Sequence, residues 1–376
     1  MATAAVVGCL MLLAGMNFMF LSLFGQFVVR TSRRSSAEAE HGVVRIHRGG
    51  SKALGPCERG VQLSEGQVSN VSMVKPWERE ALSHCPLCGG VDAVPVVDRR
   101  VRGVPLRFVK STGCGLVYQN PRLTLGAARE YFNSTTFFRD GEDNEGGLES
   151  LLGYPDYGVS ELGVRRTAAY RLRRISAFVP PPARLLEIGS ATGVFLDEAR
   201  LAGYEVRGLD LSAPFAERAG SVYGLEVDGA SVEDFPLPER AYDVICCWGG
   251  IPCWHDFVKG LANVGRSLKS GGVFVMTHSN IESLLARVLG SRYFEFNPGV
   301  FTVFSVSTMS RALDMTGFDS IVVETDRQFA SVGWILTYLR STFLLRAVRA
   351  LGIEKAVVPV VALTSVFRVC RNRSHD

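Results

Sequence analysis

Two glycines, Gly189 and Gly193, stand between a short apolar run and a helix-forming stretch, with acids close by at Glu187 and Asp210. Leu185, Leu186 and Ile188 make the apolar run of a buried parallel strand, and Val194 to Ala202 reads as a helix stopped by Gly203. Gly189 lets the chain turn off the strand, and Gly193 is expected to let the backbone approach a ligand lying over the helix N-terminus. Tyr204 to Ser212 then reads as a second strand ending at Asp210, where an acid in a nucleotide-binding α/β unit takes the two ribose hydroxyls. The chemistry implied is the holding of a nucleotide cofactor. A dinucleotide fingerprint would need G-x-G-x-x-G, but counting from Gly189 puts Ala191 second and Val194 third, which makes that the weaker reading.

A second constellation lies upstream. His84-Cys-Pro-Leu-Cys-Gly-Gly90 places two thiols, Cys85 and Cys88, at a spacing that fits one tetrahedral ion. The stretch Ser111 to Pro121 adds only Cys114, with Ser111 standing where a fourth cysteine belongs. Three thiolates can hold zinc if His84 or water completes the shell; otherwise the knuckle folds without metal around Val96, Val97, Leu106, Val109 and Val117. A third candidate is His255, which follows the apolar strand Tyr242 to Trp248 at the sheet edge where ligands of open α/β folds collect. The competing structural reading has His255 simply sitting beside Asp256 at the start of the next helix, and Cys253 as a small core residue.

The elements that must position these groups follow from the rest of the chain. At 376 residues, one α/β domain and smaller extras can be accommodated, and a formal charge of +4 is too balanced to argue for nucleic acid. Nine scattered cysteines do not form a disulfide framework. Residues 3–29 carry no charge, enough for a helix to cross about 30 Å of hydrocarbon, and Arg30, Arg33 and Arg34 follow at once. The expected organisation is therefore a transmembrane anchor over 1–30 with the remainder in the cytoplasm, a linker over 31–80, a knuckle module over 81–125, connector helices over 126–180 and an α/β domain over 181–376. If the true start is Met73, the chain is cytoplasmic and unanchored. Further expectations are a helix from Glu161 to Phe178, a strand from Leu225 to Val227, a turn at Lys269 to Gly272 before a strand from Val273 to Thr277, a strand from Ser320 to Glu324, and an apolar tail from Trp334 to Leu363. That tail reads as a packed helical pair or a membrane-surface stretch, before a last strand from Val366 to Arg371.

From about Cys85 to Arg371 the order of parts resembles the class I S-adenosylmethionine-dependent methyltransferases that carry an amino-terminal zinc ribbon. The resemblance rests on the C-P-x-C-G and C-G-L-V-x-x-N-P pieces, the G-Y-x-D-Y segment ending at Tyr157, the G-x-A-T-G-x-F-L turn, the G-x-D-L-S strand end and the L-K-x-G-G turn. It implies a Rossmann-like seven-stranded sheet with the last strand antiparallel and helices on both faces. It also implies S-adenosylmethionine contacts at Glu187, Gly189, Gly193, Asp210 and the loop around Glu233, with Tyr157, Ser190, Leu211 and Trp248 beside them. The departures fall on the chemistry. Where relatives read W-D-x-x-E-H this chain has Trp248-Gly-Gly-Ile-Pro-Cys253, and where they read P-E-H it has Pro298-Gly-Val300.

The function expected is methyl transfer to an O, N or C nucleophile on a small molecule, glycan or lipid, with the membrane reached through the amino-terminal helix. Two alternatives stand beside it: a cofactor-binding protein that no longer catalyses, favoured by the lost histidines, and an RNA methyltransferase, disfavoured because basic residues near the knuckle are confined to Arg99, Arg100, Arg102 and Arg107.

Overall fold

The computed structural model describes residues 77–101, 104–133, 157–333 and 355–372. The expected membrane anchor, most of the expected linker, the part of the expected connector before Tyr157 and much of the apolar tail lie outside these residues. Among the described residues no helix is long and apolar enough to cross a membrane.

The first described strands are β1 (Arg79–Glu80), β2 (Ala93–Val101), β3 (Val104–Ser111), β4 (Val117–Gln119) and β5 (Arg122–Leu123). Alternation buries Val97, Leu106, Phe108 and Val117, but the β2–β3 register slips between Pro95 and Val97. Val96 occupies that slip and is 39% exposed, so it does not belong to the small core expected of it.

Helix α1 (Leu125–Asn133) follows, then α2 (Tyr157–Ile175), which begins and ends earlier than the expected Glu161 to Phe178 because the chain turns off at Ser176 before the prolines. The α/β part then runs β6 (Arg184–Ile188), α3 (Val194–Leu201), β7 (Glu205–Asp210), α4 (Ala213–Tyr223), β8 (Val227–Gly229), β9 (Tyr242–Trp248), α5 (Phe257–Ser267) and β10 (Leu268–Ser279). It closes with α6 (Leu284–Leu289), β11 (Thr302–Val303), α7 (Val306–Met315), β12 (Phe318–Ser331) and β13 (Val357–Asn372).

These strands form a seven-stranded sheet in the order β12-β13-β10-β9-β6-β7-β8, in which β13 alone runs against its neighbours. The mixed sheet has the Rossmann-like arrangement. Strand residues alternate between two cores: Leu185, Val244, Cys246, Val273 and Val275 pack under α2, α3 and α4, whereas Leu186, Ile188, Ile245, Cys247, Phe274 and Met276 pack under α5 and α7.

Several boundaries differ from expectation for identifiable reasons. The Lys269 to Gly272 turn is absorbed into β10 as an irregularity between Leu268 and Val273, with Gly271 at φ 76°. The third parallel strand starts at Val227, two residues late. β12 reaches Ser331 instead of stopping at Glu324, because β13 begins at Val357 and pairs along it; the β-branched run Val357-Val-Pro-Val-Val361 makes strand where a helical tail was expected.

The amino-terminal module is not an independent bead. β11 joins β4, β3 and β2 in one four-stranded sheet, and Cys85, Leu87, Val109, Leu116 and Tyr118 share a core with Ile188 and Trp254.

Candidate active site

β6 ends the apolar run at Ile188, and Gly189 turns the chain with φ 76° while its amide donates to the Leu209 carbonyl at 2.7 Å. A Cβ built at Gly189 would meet nothing within 4 Å, so the turn opens onto free space at the carboxyl edge of the sheet. Ala191 holds φ 46°, a left-handed conformation rare for a residue with a side chain, and its amide donates to Asp210 Oδ2 at 2.8 Å. The Ser212 amide donates to Asp210 Oδ1 at 2.8 Å. Both oxygens of Asp210 thus carry one backbone donor and keep a lone pair free; burial raises the pKa of the group and the two amides draw it back.

Glu187 sits beneath the turn, 3% exposed, and its Oε2 is buried with no hydrogen-bond partner. Burial, then the Asp210 charge, lift its pKa well above the usual carboxylate range, and Arg171 opposes them. A buried acceptor with no donor is costly unless a ligand completes it, and a cation is the ligand that best reverses both penalties. Arg171 comes from α2 with Nη2 2.7 Å from Asp326 Oδ2 and its guanidinium 4.4 Å from the centre of the Trp248 ring. Nothing local in the sequence marks this arginine, since its partners lie in β9 and β12.

The remaining residues named by the sequence fall in varied places. Gly193 has φ 80°, and a Cβ there would lie 2.8 Å from Ala219 Cβ and 3.0 Å from Leu225 Cδ1. Its smallness serves the packing of α3 on α4. The Ser190 hydroxyl is buried and unpartnered, and a Cβ at Gly208 would come within 3.0 Å of it, so it is turned back toward β7. Leu211 packs with Tyr131 and Phe132 of α1, and Asn133 Oδ1 accepts from the Ala213 amide at 2.9 Å, closing the α1 end over the β7 edge. Trp248 meets Phe195 edge-on at 5.0 Å and leaves its buried Nε1 unpartnered. Tyr157 is the first residue of α2, and its side chain lies outside the described set. Glu233 Oε1 accepts from the Asp256 amide at 3.2 Å, tying the loop after β8 to the start of α5.

His255 does not present a free imidazole. Its Nε2 lies 3.1 Å from Glu80 Oε1 and 3.2 Å from the Leu123 carbonyl, both in the amino-terminal module, and Arg122 donates to its own carbonyl. Burial and then Arg122 lower its pKa. These contacts make it a tie between the module and the sheet edge. Asp256 caps α5 by accepting from the Lys259 amide, the local role anticipated for this pair.

A carboxyl that sequence reading passed over is Glu295, in the segment between α6 and β11. Burial pushes its pKa up to about 7, and the Ser279 hydroxyl at the end of β10 draws it partly back. An acid bracketed by aromatics in Tyr293-Phe-Glu-Phe296 was the available signal.

In the knuckle, ligand atoms of Cys85, Cys88 and Cys114 lie within 4.8 Å of one another. The Cys85 and Cys114 sulfurs are 3.6 Å apart, and Ser111 Oγ is 3.4 Å from Cys88 Sγ, whereas the exposed His84 faces Ser83. Burial pushes the Cys85 thiol up to about 11, while the Ser111 hydroxyl pulls Cys88 down to about 7. Three sulfurs converging on one point can hold an ion, with Ser111 or a water, not His84, as the fourth donor.

A family profile described as "Methyltransferase domain" matches residues 163–323. A protein of Bacillus subtilis (strain 168) described as uncharacterized methyltransferase YdaC is 30% identical over 98 residues, 25% of this chain and 54% of that protein, so the match spans about half of the relative's length. Among solved structures, the YcgJ protein from Bacillus subtilis is 16% identical with a TM-score of 0.41, covering 56% of this chain and 99% of its own. An S-adenosylmethionine-dependent methyltransferase from Mesorhizobium loti is 18% identical with a TM-score of 0.39, covering 55% and 98%. The profile match and the sheet order together support a methyltransferase domain over this part of the chain.

Proposed function

We propose that this chain transfers a methyl group from S-adenosylmethionine to a small-molecule, glycan or lipid acceptor. The observation that carries the reading is the pairing of an orphaned buried acceptor, Glu187 Oε2, with the two-oxygen cradle of Asp210 around the open turn at Gly189.

When bound, the cofactor supplies a methyl already activated on a sulfonium. Glu187 would hold the ammonium of its amino-acid part, ionising against it. Asp210, fixed by the Ala191 and Ser212 amides, offers its remaining lone pairs to two vicinal hydroxyls. Gly189 keeps the space above the turn clear. The loop after β8, pinned through Glu233 to α5, borders the base-binding side, and Asn133 holds α1 over the β7 edge. A cofactor held over β6 and β7 by these residues would leave the edges of β9 and β10 for the acceptor, and in-line positioning would carry most of the rate. Zinc, if present, would be held by Cys85, Cys88 and Cys114 and would brace the module against the sheet.

Isothermal calorimetry with S-adenosylmethionine tests the assignment. Asp210→Ala should weaken binding by about 10- to 100-fold through the loss of two charge-assisted hydrogen bonds, and an unchanged affinity would overturn it.

A further inference from the structure

Beneath the turn at Gly189, buried polar atoms of both kinds lack partners among the described residues. Arg171 and Trp248 stack, with the guanidinium 4.4 Å from the ring centre, and each keeps a donor with no acceptor, Arg171 Nε and Trp248 Nε1. Glu187 Oε2 is an acceptor with no donor. The strand register sets these groups side by side. Glu187 pairs with Cys246 across β6 and β9, and Trp248 stands two residues further along β9 on the same face, a step of about 7 Å. Above them the chain is open: a Cβ built at Gly249, the residue after Trp248, would meet nothing within 4 Å, as at Gly189 after β6.

The pair with Asp326 does not use up the guanidinium. Asp326 Oδ2 accepts from Arg171 Nη2 at 2.7 Å and from Gln328 Nε2 at 2.9 Å, which engages one of the five N–H groups of the arginine. Asp326 is fully buried and Arg171 nearly so, so the carboxylate fixes the cation from the β12 side while the Trp248 ring supports its face. A donor left without an acceptor in such surroundings carries a desolvation cost that an anion removes.

A ligand that completes both kinds of atom at once must carry a cation and an anion on neighbouring atoms, as the α-carbon of an amino acid does. We propose that Arg171 and Trp248 Nε1 hold the carboxylate of the cofactor's amino-acid part, opposite the ammonium at Glu187, and make the site selective for the intact zwitterion. The proposal rests on the methyltransferase reading. Arg171 is then a binding residue delivered by α2, and Asp326 a positioning residue that keeps the guanidinium from turning toward solvent.

Three nucleosides separate the contacts. S-adenosylmethionine carries both charged groups of the amino acid, its decarboxylated form keeps the ammonium alone, and 5′-methylthioadenosine lacks both. In calorimetry on the full chain, wild type should bind S-adenosylmethionine about tenfold or more tightly than the decarboxylated form. Arg171→Met should bring that ratio to near one and leave the affinity for 5′-methylthioadenosine unchanged. Trp248→Phe, which keeps a ring under the guanidinium and removes the indole N–H, should lower the ratio part-way and serves if the methionine variant does not fold. A wild-type ratio near one, or a ratio unaltered in these variants, would overturn the role of Arg171. So would an equal loss of affinity for all three nucleosides, the result expected of an arginine that only supports the fold. If wild type binds none of the three, the methyltransferase reading itself fails, and this carboxylate site with it.

Discussion

A Cβ placed on Gly193 would stand 2.8 Å from the Cβ of Ala219, closer than real side-chain contacts allow. Gly193→Ala should therefore destabilise the fold by about 1–3 kcal/mol through overpacking of α3 on α4, in addition to the strain of a left-handed φ of 80°. Urea unfolding without cofactor measures this. A variant that kept wild-type stability and lost only cofactor affinity would show that the glycine serves the ligand instead.

Glu187 predicts a pH signature. Without ligand its carboxyl is held protonated to higher pH than usual, and a bound cation favours the ionised form. Binding should release a proton, and affinity for S-adenosylmethionine should rise with pH until Glu187 is ionised in the free protein. Calorimetry in buffers of differing ionisation enthalpy counts the proton, and Glu187→Gln should flatten the pH dependence while weakening binding.

His278 predicts acid sensitivity. It is 1% exposed, its Nδ1 lies 2.8 Å from the Ser279 carbonyl and its Nε2 accepts from Arg368 Nε at 3.1 Å, and burial followed by Arg368 depresses its pKa to about 3. The unfolded chain takes up this proton near pH 6.5, whereas the folded chain resists it until about 3. The stability held by the neutral imidazole is thus complete above about pH 6.5 and lost progressively as pH falls toward 3. Because Glu187 and Glu295 shift the opposite way, the cleanest readout is the difference in unfolding free energy between wild type and His278→Gln. That difference should shrink from pH 7 to pH 5; if it stays constant, the histidine is not buried neutral.

Ser111→Cys should convert the knuckle into a four-thiolate site and raise zinc retained after dialysis, since the serine oxygen already stands 3.4 Å from Cys88 Sγ. Metal content at zero in both forms would mark the cluster as purely structural.

The sequence by itself determined the local frame. The apolar run before Gly189, the glycine stop at Gly203, the Asp210 strand end and the C-x-x-C at Cys85 are patterns set by neighbours a few residues apart, and β9 runs over Tyr242–Trp248 as its apolar run implied. What only the tertiary structure decided depends on residues distant in the chain. Gly193 and Ala219 meet because two helices pack on one sheet face, and β13 extends back to Val357 because β12 offers a partner. His255 turns to Glu80 because the amino-terminal module is fused to the sheet edge. Arg171 reaches Trp248 and Asp326 from a helix whose composition gives no hint of it. Glu295 acquires its character from burial beside Ser279, and burial is a property of the packed whole, to which a residue's sequence neighbours contribute only in part.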